Sequence, residues 1–470
     1  MSRPALPSSA HSLRRALGLW SAVSIVVGTV IGGGVFLVPS TMIRNTGSVT
    51  TLFVVWILAG VLSLFGALTY GELAAAMPEA GGEYVYLTAA YGPFWGFLYG
   101  WTQFWVAKSG SIATLGAGFY TYLTVFYPAL GQPVVVTPWH VGPGGSLLEI
   151  RFGQLIAIAI ILILAAVNYV GVRSGGNVQV AVTATKMACI VAVICCGVFS
   201  GKGDLSHFAG AVPSSAGVGG FFAAMVSALW AYDGWNNVSM VSSEILEPQR
   251  NLPRSLIFGT SAVIATYVLI NLAYFYVLTP AQVAGSSRVA AEMMTFLYGT
   301  AAGKAVSVAV LISTFAALNG SILTGSRVPY AMARDGLFFR PMAQVNARYR
   351  TPGISIVYLS CWSCVVILSG WFDDLYNFVI FGSWILYLLT AASVFVLRRK
   401  APNLVRPYRV IGYPVVPVLF IVVAIALLGS TLHTRPRESL MGLGLMFAGV
   451  PFYLYWKKRA ASLESRQELL

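Results

Sequence analysis

Charge is what this 470-residue sequence has least of: Lys, Arg, Asp and Glu together make up 9% of it. A water-exposed surface needs roughly 25–35% charged residues, so the chain cannot cover itself in water. An ordinary soluble enzyme and a disordered chain are both excluded. Histidine is scarce. His11, His140, His207 and His433 fall in tails, loops or a helix end and form no cluster, so no metal site is expected. A membrane-embedded enzyme would need a His/Asp/Glu constellation that the sequence does not offer. The five cysteines (Cys189, Cys195, Cys196, Cys361 and Cys364) lie inside apolar stretches, which argues against a disulfide outside the membrane. Cys361-Trp-Ser-Cys364 has redox spacing, but it sits in an apolar run with no βαβ pattern around it. No Gly-x4-Gly-Lys-Ser/Thr loop appears, so ATP-driven work is not supported, and no cofactor is expected. A ring of charges lining a channel is missing as well. The start of the chain is no cleavable leader. Residues 1–16 are polar, with Arg3, Arg14 and Arg15, and the apolar run that follows is too long for a signal core.

Apolar sequence is abundant: 57% of residues are hydrophobic, and 48 are glycine. A membrane helix needs about 20 apolar residues. Candidate spans lie near 17–42, 50–76, 93–126, 152–172, 178–199, 217–243, 253–279, 300–332, 353–370, 374–397, 413–433 and 439–456, twelve in all. The fold class is therefore an all-α polytopic membrane protein. The runs are long and continuous rather than alternating, which excludes a β-barrel. Twelve spans put both termini on one side. With that side inside, 20 Lys/Arg face the cytoplasm and seven face out, leaving Lys108 and Lys186 within spans. The termini, 1–16 and 457–470, are thus expected in the cytoplasm and the chain in the cell (inner or plasma) membrane. Topology and contact with the lipid bilayer account for most of the net charge of +14, so no nucleic acid is needed. The longest outer loop, about 127–151, is rich in Gly and Pro. No extramembrane domain is left to carry chemistry, which must happen inside the helix bundle.

Two places break the helical pattern. In the first span, Gly28-Thr-Val-Ile-Gly32-Gly33-Gly34 sets three glycines in a row at mid-membrane, each costing a helix about 1 kcal/mol relative to alanine. Close helix packing through small residues is the plain alternative. In the sixth span, Trp230-Ala-Tyr-Asp233-Gly234-Trp-Asn236-Asn237 places an acid, a glycine and two amides at mid-span. An Asp there costs roughly 2.5–3.5 kcal/mol on insertion scales. Its plain alternative is a hydrogen-bond network in the bundle interior. The two breaks fall at matching places, each in the first helix of a five-span set. That is the pointer to an inverted repeat with a site at the bilayer midplane. Broken helices expose backbone groups. The N–H groups of Gly32, Gly33 and Gly34 would hold a carboxylate, and carbonyls near Val30, Trp230 and Asp233 would accept from an ammonium. An anion pocket beside a cation pocket describes an α-amino acid. Thr29, Val30, Ile31, Gly32, Gly33 and Gly34 on one break, and Trp230, Ala231 and Asp233 on the other, are the candidate contacts.

The stretches Gly28-Thr-Val-Ile-Gly-Gly-Gly-Val-Phe36, Tyr70-Gly-Glu72, Pro78-Glu-Ala-Gly-Gly-Glu-Tyr84, Tyr232-Asp-Gly-Trp-Asn236, Glu247-Pro-Gln-Arg-Asn-Leu-Pro-Arg254 and Asn319-Gly-Ser…Ser326-Arg327 run from the first span into the eighth. In this order they resemble the amino acid–polyamine–organocation (APC) transporters, within them the L-type amino acid transporter-like branch, in a prokaryotic type. The resemblance implies a five-plus-five inverted repeat of the LeuT-like kind, 17–199 and 217–398, with two helices appended over 413–456. It implies a secondary carrier of amino acids working by alternating access, expected here as an exchanger. A proton-coupled symporter or a polyamine carrier of the same fold is the alternative. It places the occluding aromatic of the sixth span at Trp230 and a gate aromatic of the tenth near Trp384. By residue count Lys186 reads as a cation near a helix end, free to reach the interface. By resemblance it stands where sodium-coupled relatives bind Na⁺, which implies no sodium coupling. Lys108 falls where the family commonly has Arg and reads as structural. Glu72 is expected to pair with a base in a loop. Gly33 replaces a Ser of many relatives, so backbone donors must suffice for the carboxylate. The 127–151 loop has no Cys, so the disulfide-linked heavy chain of animal relatives is not expected, and a monomer or weak homodimer is. Asp233 is left with two readings. It could attract a cationic substrate side chain, or hydrogen-bond Asn236 or Asn237 and hold the broken helix.

Overall fold

The computed structural model describes residues 13–141, 146–213, 217–369, 372–434 and 436–468. Almost all of it is helix. Among the described residues, eight helices are long and apolar enough to cross a membrane, and a ninth span is the pair α1 (Leu19–Val30) and α2 (Gly34–Thr46), bent by 42° at its break. The other eight are α3 (Val49–Ala76), α7 (Phe152–Val170), α8 (Val172–Val198), α10 (Pro248–Val277), α13 (Thr300–Gly325) with α14 (Arg327–Arg334), α16 (Phe372–Lys400), α17 (Val415–Thr434), and α18 (Pro436–Phe447) with α19 (Val450–Glu468). The three remaining spans expected from sequence are divided or short. One is α5 (Pro93–Thr102) joined to α6 (Lys108–Leu123) by a π-turn over Gln103–Ala107. Another is α9 (Gly217–Ala231), followed after a break by a 3₁₀ segment, Trp235–Glu244. The third is α15 (Gly353–Leu368), 16 residues long.

The packing is inside out relative to a soluble protein, as lipid demands. Ile57, Leu58, Val422, Ile425 and Leu454 are exposed on the outer face, whereas Asn168, Gln179, Glu244, Asn319 and Arg327 are fully buried. Buried polar groups favour partners, and a chain of amides in the core supplies them to one another. Asn168 donates to Asn319 (2.9 Å), Asn319 to Gln179 (2.8 Å), and Gln179 to the carbonyl of Ser24 on α1 (3.2 Å). This chain of amides holds α1 against α7, α8 and α13. Glycine lets the helices come this close. A Cβ on Gly28 would overlap Gln179 and lie 2.6 Å from Thr183 Oγ1.

Both breaks have local causes. α1 stops at Val30, where Ile31 leaves the helical region (ψ 88°), and Gly34 opens α2. In the sixth span Gly234 takes φ +104°, a left-handed conformation that favours glycine. A 3₁₀ segment, Trp235–Glu244, follows it.

Three features differ from the sequence expectation. The outer loop is not irregular but carries an antiparallel hairpin, β1 (Pro133–Val141) and β2 (Ser146–Arg151), with Val135 opposite Ile150 and Val136 opposite Glu149. Val134, Val135 and Val136 are exposed, and strand pairing satisfies backbone groups that no helix could. Short helices also follow the second span of each five-span set: α4 (Glu83–Tyr91), then α11 (Pro280–Gly285) and α12 (Val289–Tyr298). All three are too short to have registered as spans. α11 did carry a signal: Thr279 caps it, Pro280 opens it, and Gln282 completes a capping box. Finally, the first span runs on to Thr46, past the expected 42, and Gly47 ends it at φ +70°.

Candidate functional site

The two breaks are tied to each other and to the helices around them. Thr29 Oγ1 donates to the carbonyl of Gly234 across the gap, at 3.0 Å. Tyr267 of α10 reaches both, donating to Val30 (3.2 Å) and Ala231 (2.8 Å). The last carbonyls of a helix have no partner within it and gather negative partial charge. At the end of α1 that charge is met by Lys186 of α8, fully buried, whose ammonium donates to Gly28 O (2.9 Å) and Ile31 O (2.5 Å). Ser313 of α13 donates to Ile31 O and Gly32 O, each at 3.0 Å. Lys186 is therefore no interface cation. It caps the carbonyl end of the first half of the broken helix.

These donors use up part of the break. Val30 O accepts from the N–H of Gly32 as well as from Tyr267, and Ile31 O accepts from Lys186 and Ser313, so both carbonyls are saturated. Among the described residues, no acceptor lies on the N–H of Gly33 or Gly34. Of the three glycine amides only those of Gly33 and Gly34 are left without an acceptor among the described residues, while across the gap Gly234 O also takes two donors, Thr29 and the N–H of Asn237.

Beside the breaks lies a cavity. Of the residues singled out in the sequence, Thr29, Trp230, Asp233 and Trp384 line it, as do Gln103, Lys108, Asn237 and Tyr387. Val30, Ile31, Gly32 and Ala231 are buried behind it, with Gly34 packed against Trp230 and Gly33 half-buried. Trp384 stacks on Phe420 at 6.1 Å and meets Tyr387 edge-on.

Among the described residues Asp233 bonds neither Asn236 nor Asn237, the partners of one of its two readings. Its Oδ1 accepts from the hydroxyl of Tyr387 on α16, at 2.9 Å, while its side chain faces the cavity and is exposed there. Asn237 instead accepts from Lys108 (2.6 Å), and Asn236 donates to Glu83. Lys108, expected to be structural, is a cavity residue. The π-turn before it supplies the reason. An extra residue in a helical turn rotates the faces on either side, which puts both Gln103 and Lys108 on the cavity wall.

On the side of the bundle where α1 begins, the terminal side, buried ions close the structure. Glu83 opens α4, where a carboxylate suits the helix dipole, and accepts from Tyr99 (2.9 Å), Ser239 (3.3 Å) and Asn236. Glu244 and Arg327 form a fully buried two-pronged pair, Nε to Oε1 at 2.6 Å and Nη2 to Oε2 at 2.9 Å. The carbonyl of Glu244 also takes the N–H groups of Ala16 and Leu17. Arg327 had counted among the inward-facing loop charges; the structure places it in the core. Glu72 pairs with Arg406 of the loop after α16, as expected, and also with Arg398. Sequence reading missed Glu83, Glu244, Tyr267, Ser313 and Tyr387. The only cue was that several lie in motifs noted for other reasons.

Residues 17–439 match the family model described as amino acid permease. The serine/threonine exchanger SteT of Bacillus subtilis (strain 168) is 33% identical over 461 residues, covering 96% of this chain and 99% of that one. The b(0,+)-type amino acid transporter 1 of Homo sapiens is 33% identical over 451 residues, covering 94% and 88%. The cystine/glutamate transporter of Homo sapiens is 28% identical over 452 residues, covering 95% and 87%.

Proposed function

The chain belongs to the amino acid permease family, and from that premise we propose that it exchanges one α-amino acid for another, without sodium, by alternating access. That it is a multi-pass membrane transporter of amino acids, and no enzyme, follows from the family; the remaining details are our reading. Both relatives near 33% identity with known names act on amino acids, and one is named an exchanger.

The observation that carries the sodium-independent part is Lys186. Its ammonium sits where carbonyls of Gly28 and Ile31 converge beside the Ser313 hydroxyl. Such a ring of oxygens is what a small cation would seek, and the Lys186 ammonium already occupies it. A second cation a few ångströms away would meet repulsion in a low-dielectric interior. In this reading the substrate carboxylate rests on the N–H groups of Gly33 and Gly34, and its ammonium takes acceptors of the 230–233 segment. Trp230 and Trp384 close over it. The repeats are 17–199 and 217–398, with 413–456 appended and both tails cytoplasmic. The first half-helix swings with the 3₁₀ segment, to which it is bound by Thr29 and Gly234. A polyamine carrier is disfavoured, because Lys108 on the wall opposes a polycation.

The test is uptake into proteoliposomes. Loading them inside with unlabelled amino acid should raise labelled uptake about tenfold or more over empty vesicles, and replacing sodium by choline should change nothing. Equal uptake into empty vesicles would overturn exchange, and uptake that needs sodium would overturn the Lys186 argument.

A further inference from the structure

Resting on that reading, the geometry points to a side-chain subsite built from Lys108, Asp233 and Gln103, which selects amino acids whose side chains are neutral yet both donate and accept hydrogen bonds. Three observations converge. First, Lys108 and Asp233 face one cavity and lie within each other's field, but no direct ion pair joins them among the described residues. Asn237 holds the ammonium at 2.6 Å, and Tyr387 holds one carboxylate oxygen at 2.9 Å. The opposite charges are kept apart on the wall. Second, the other carboxylate oxygen of Asp233 accepts from no side chain among the described residues. Third, Gln103 is 96% buried, as its 4% exposure shows, lines the same cavity, and has an Oε1 that no protein donor reaches. Buried acceptors without partners are rare in native structures.

The wall therefore offers one exposed acceptor, the Asp233 carboxylate, and one ammonium donor, while Gln103 Oε1 is sealed within the wall behind them. A carboxamide fits this set, its NH₂ toward Asp233 and its oxygen toward Lys108. A hydroxyl, which also donates and accepts, fits it too. A side chain with a net charge meets one matching and one opposing group, and gains little from the exchange of water for protein. Glu83 is a third charge near Lys108, but it is fully buried and its oxygens are taken by Tyr99, Asn236 and Ser239, so it is not on the wall.

The couple makes a reciprocal prediction that a merely structural pair would not. Radiolabelled serine, glutamine, leucine, arginine and glutamate are offered separately to preloaded proteoliposomes. Wild type should prefer serine and glutamine. Lys108→Met leaves Asp233 alone and should raise the arginine-to-serine uptake ratio by about tenfold or more. Asp233→Asn leaves Lys108 alone and should raise the glutamate-to-serine ratio similarly. The double variant should return to neutral substrates, and Glu83→Gln should leave the ratios unchanged. If one single variant fails to fold, the other still decides the matter, with ligand-induced thermal shifts of purified protein as a second readout. Unchanged ratios in both single variants, or a switch of charge class caused by Glu83→Gln, would overturn the subsite. If wild type itself carried none of the five, the exchanger reading would fail instead.

Discussion

Alanine at position 186 is expected to lower exchange about tenfold or more at equal protein incorporation, and to lower the unfolding temperature of the purified protein. The ammonium of Lys186 makes two hydrogen bonds to carbonyls at the end of α1, those of Gly28 and of Ile31, the second shared with Ser313. Hydrogen bonds involving a charged group contribute about 1.5–3 kcal/mol, and each 1.4 kcal/mol is about tenfold in an equilibrium. Ser313 would remain on Ile31, but Gly28 would keep no side-chain donor. Methionine at 186 fills most of the volume and donates nothing, so it separates the lost hydrogen bonds from the cavity. Both variants should be impaired, methionine less in stability. Wild-type uptake by Lys186→Ala would show that the cap is dispensable and would remove the basis for sodium independence.

Breaking the buried pair between Glu244 and Arg327 is expected to be the more damaging change to stability. Removing one partner strands a charge in the core, at a cost of about 3–5 kcal/mol. Arg327→Leu should therefore unfold at a markedly lower temperature, with Glu244→Leu close behind. The double replacement by leucine leaves no charge buried and should recover much of the stability. It should not recover transport. The pair joins the 3₁₀ segment after the sixth-span break to α14, and the same Glu244 carbonyl anchors Ala16 and Leu17 before α1. In the proposed alternating-access cycle those elements separate when the terminal side opens and rejoin when it closes. Full activity in the double variant would show that the pair supports folding alone.

The readable part of this molecule was its discontinuities. Three glycines and an Asp-Gly step are costly in a continuous membrane helix, so their presence pointed to breaks, and the breaks lie where expected at 31–33 and 232–234. What side chains do around those breaks was harder to read. In a water-soluble helix, polarity marks the outer face; in lipid nearly every face is apolar, so residue 108 carried no sign of where it points. A π-turn of five residues decides that, and it leaves no period in the sequence. Arg327 was misplaced for the opposite reason. A basic residue at a helix end obeys the charge-asymmetry rule whether it faces water or a buried acid. Asp233 was legible as an unusual residue but not as a partner of Tyr387, which is 154 residues away. The short helices and the hairpin were lost to the length filter that made the spans easy to count.

The most direct test of the central claim, that the two breaks recognise the α-amino and α-carboxylate groups together, is competition against labelled amino acid uptake by matched analogues. For whichever amino acid is carried best, the decarboxylated amine and the deaminated acid are supplied in excess, beside the intact amino acid. Only the intact amino acid should compete, because the Gly33 and Gly34 amides and the acceptors near 230–233 each need their own group. Competition by the amine as strong as that of the amino acid would mean that no carboxylate is read at the first break, and the account of the site would be wrong.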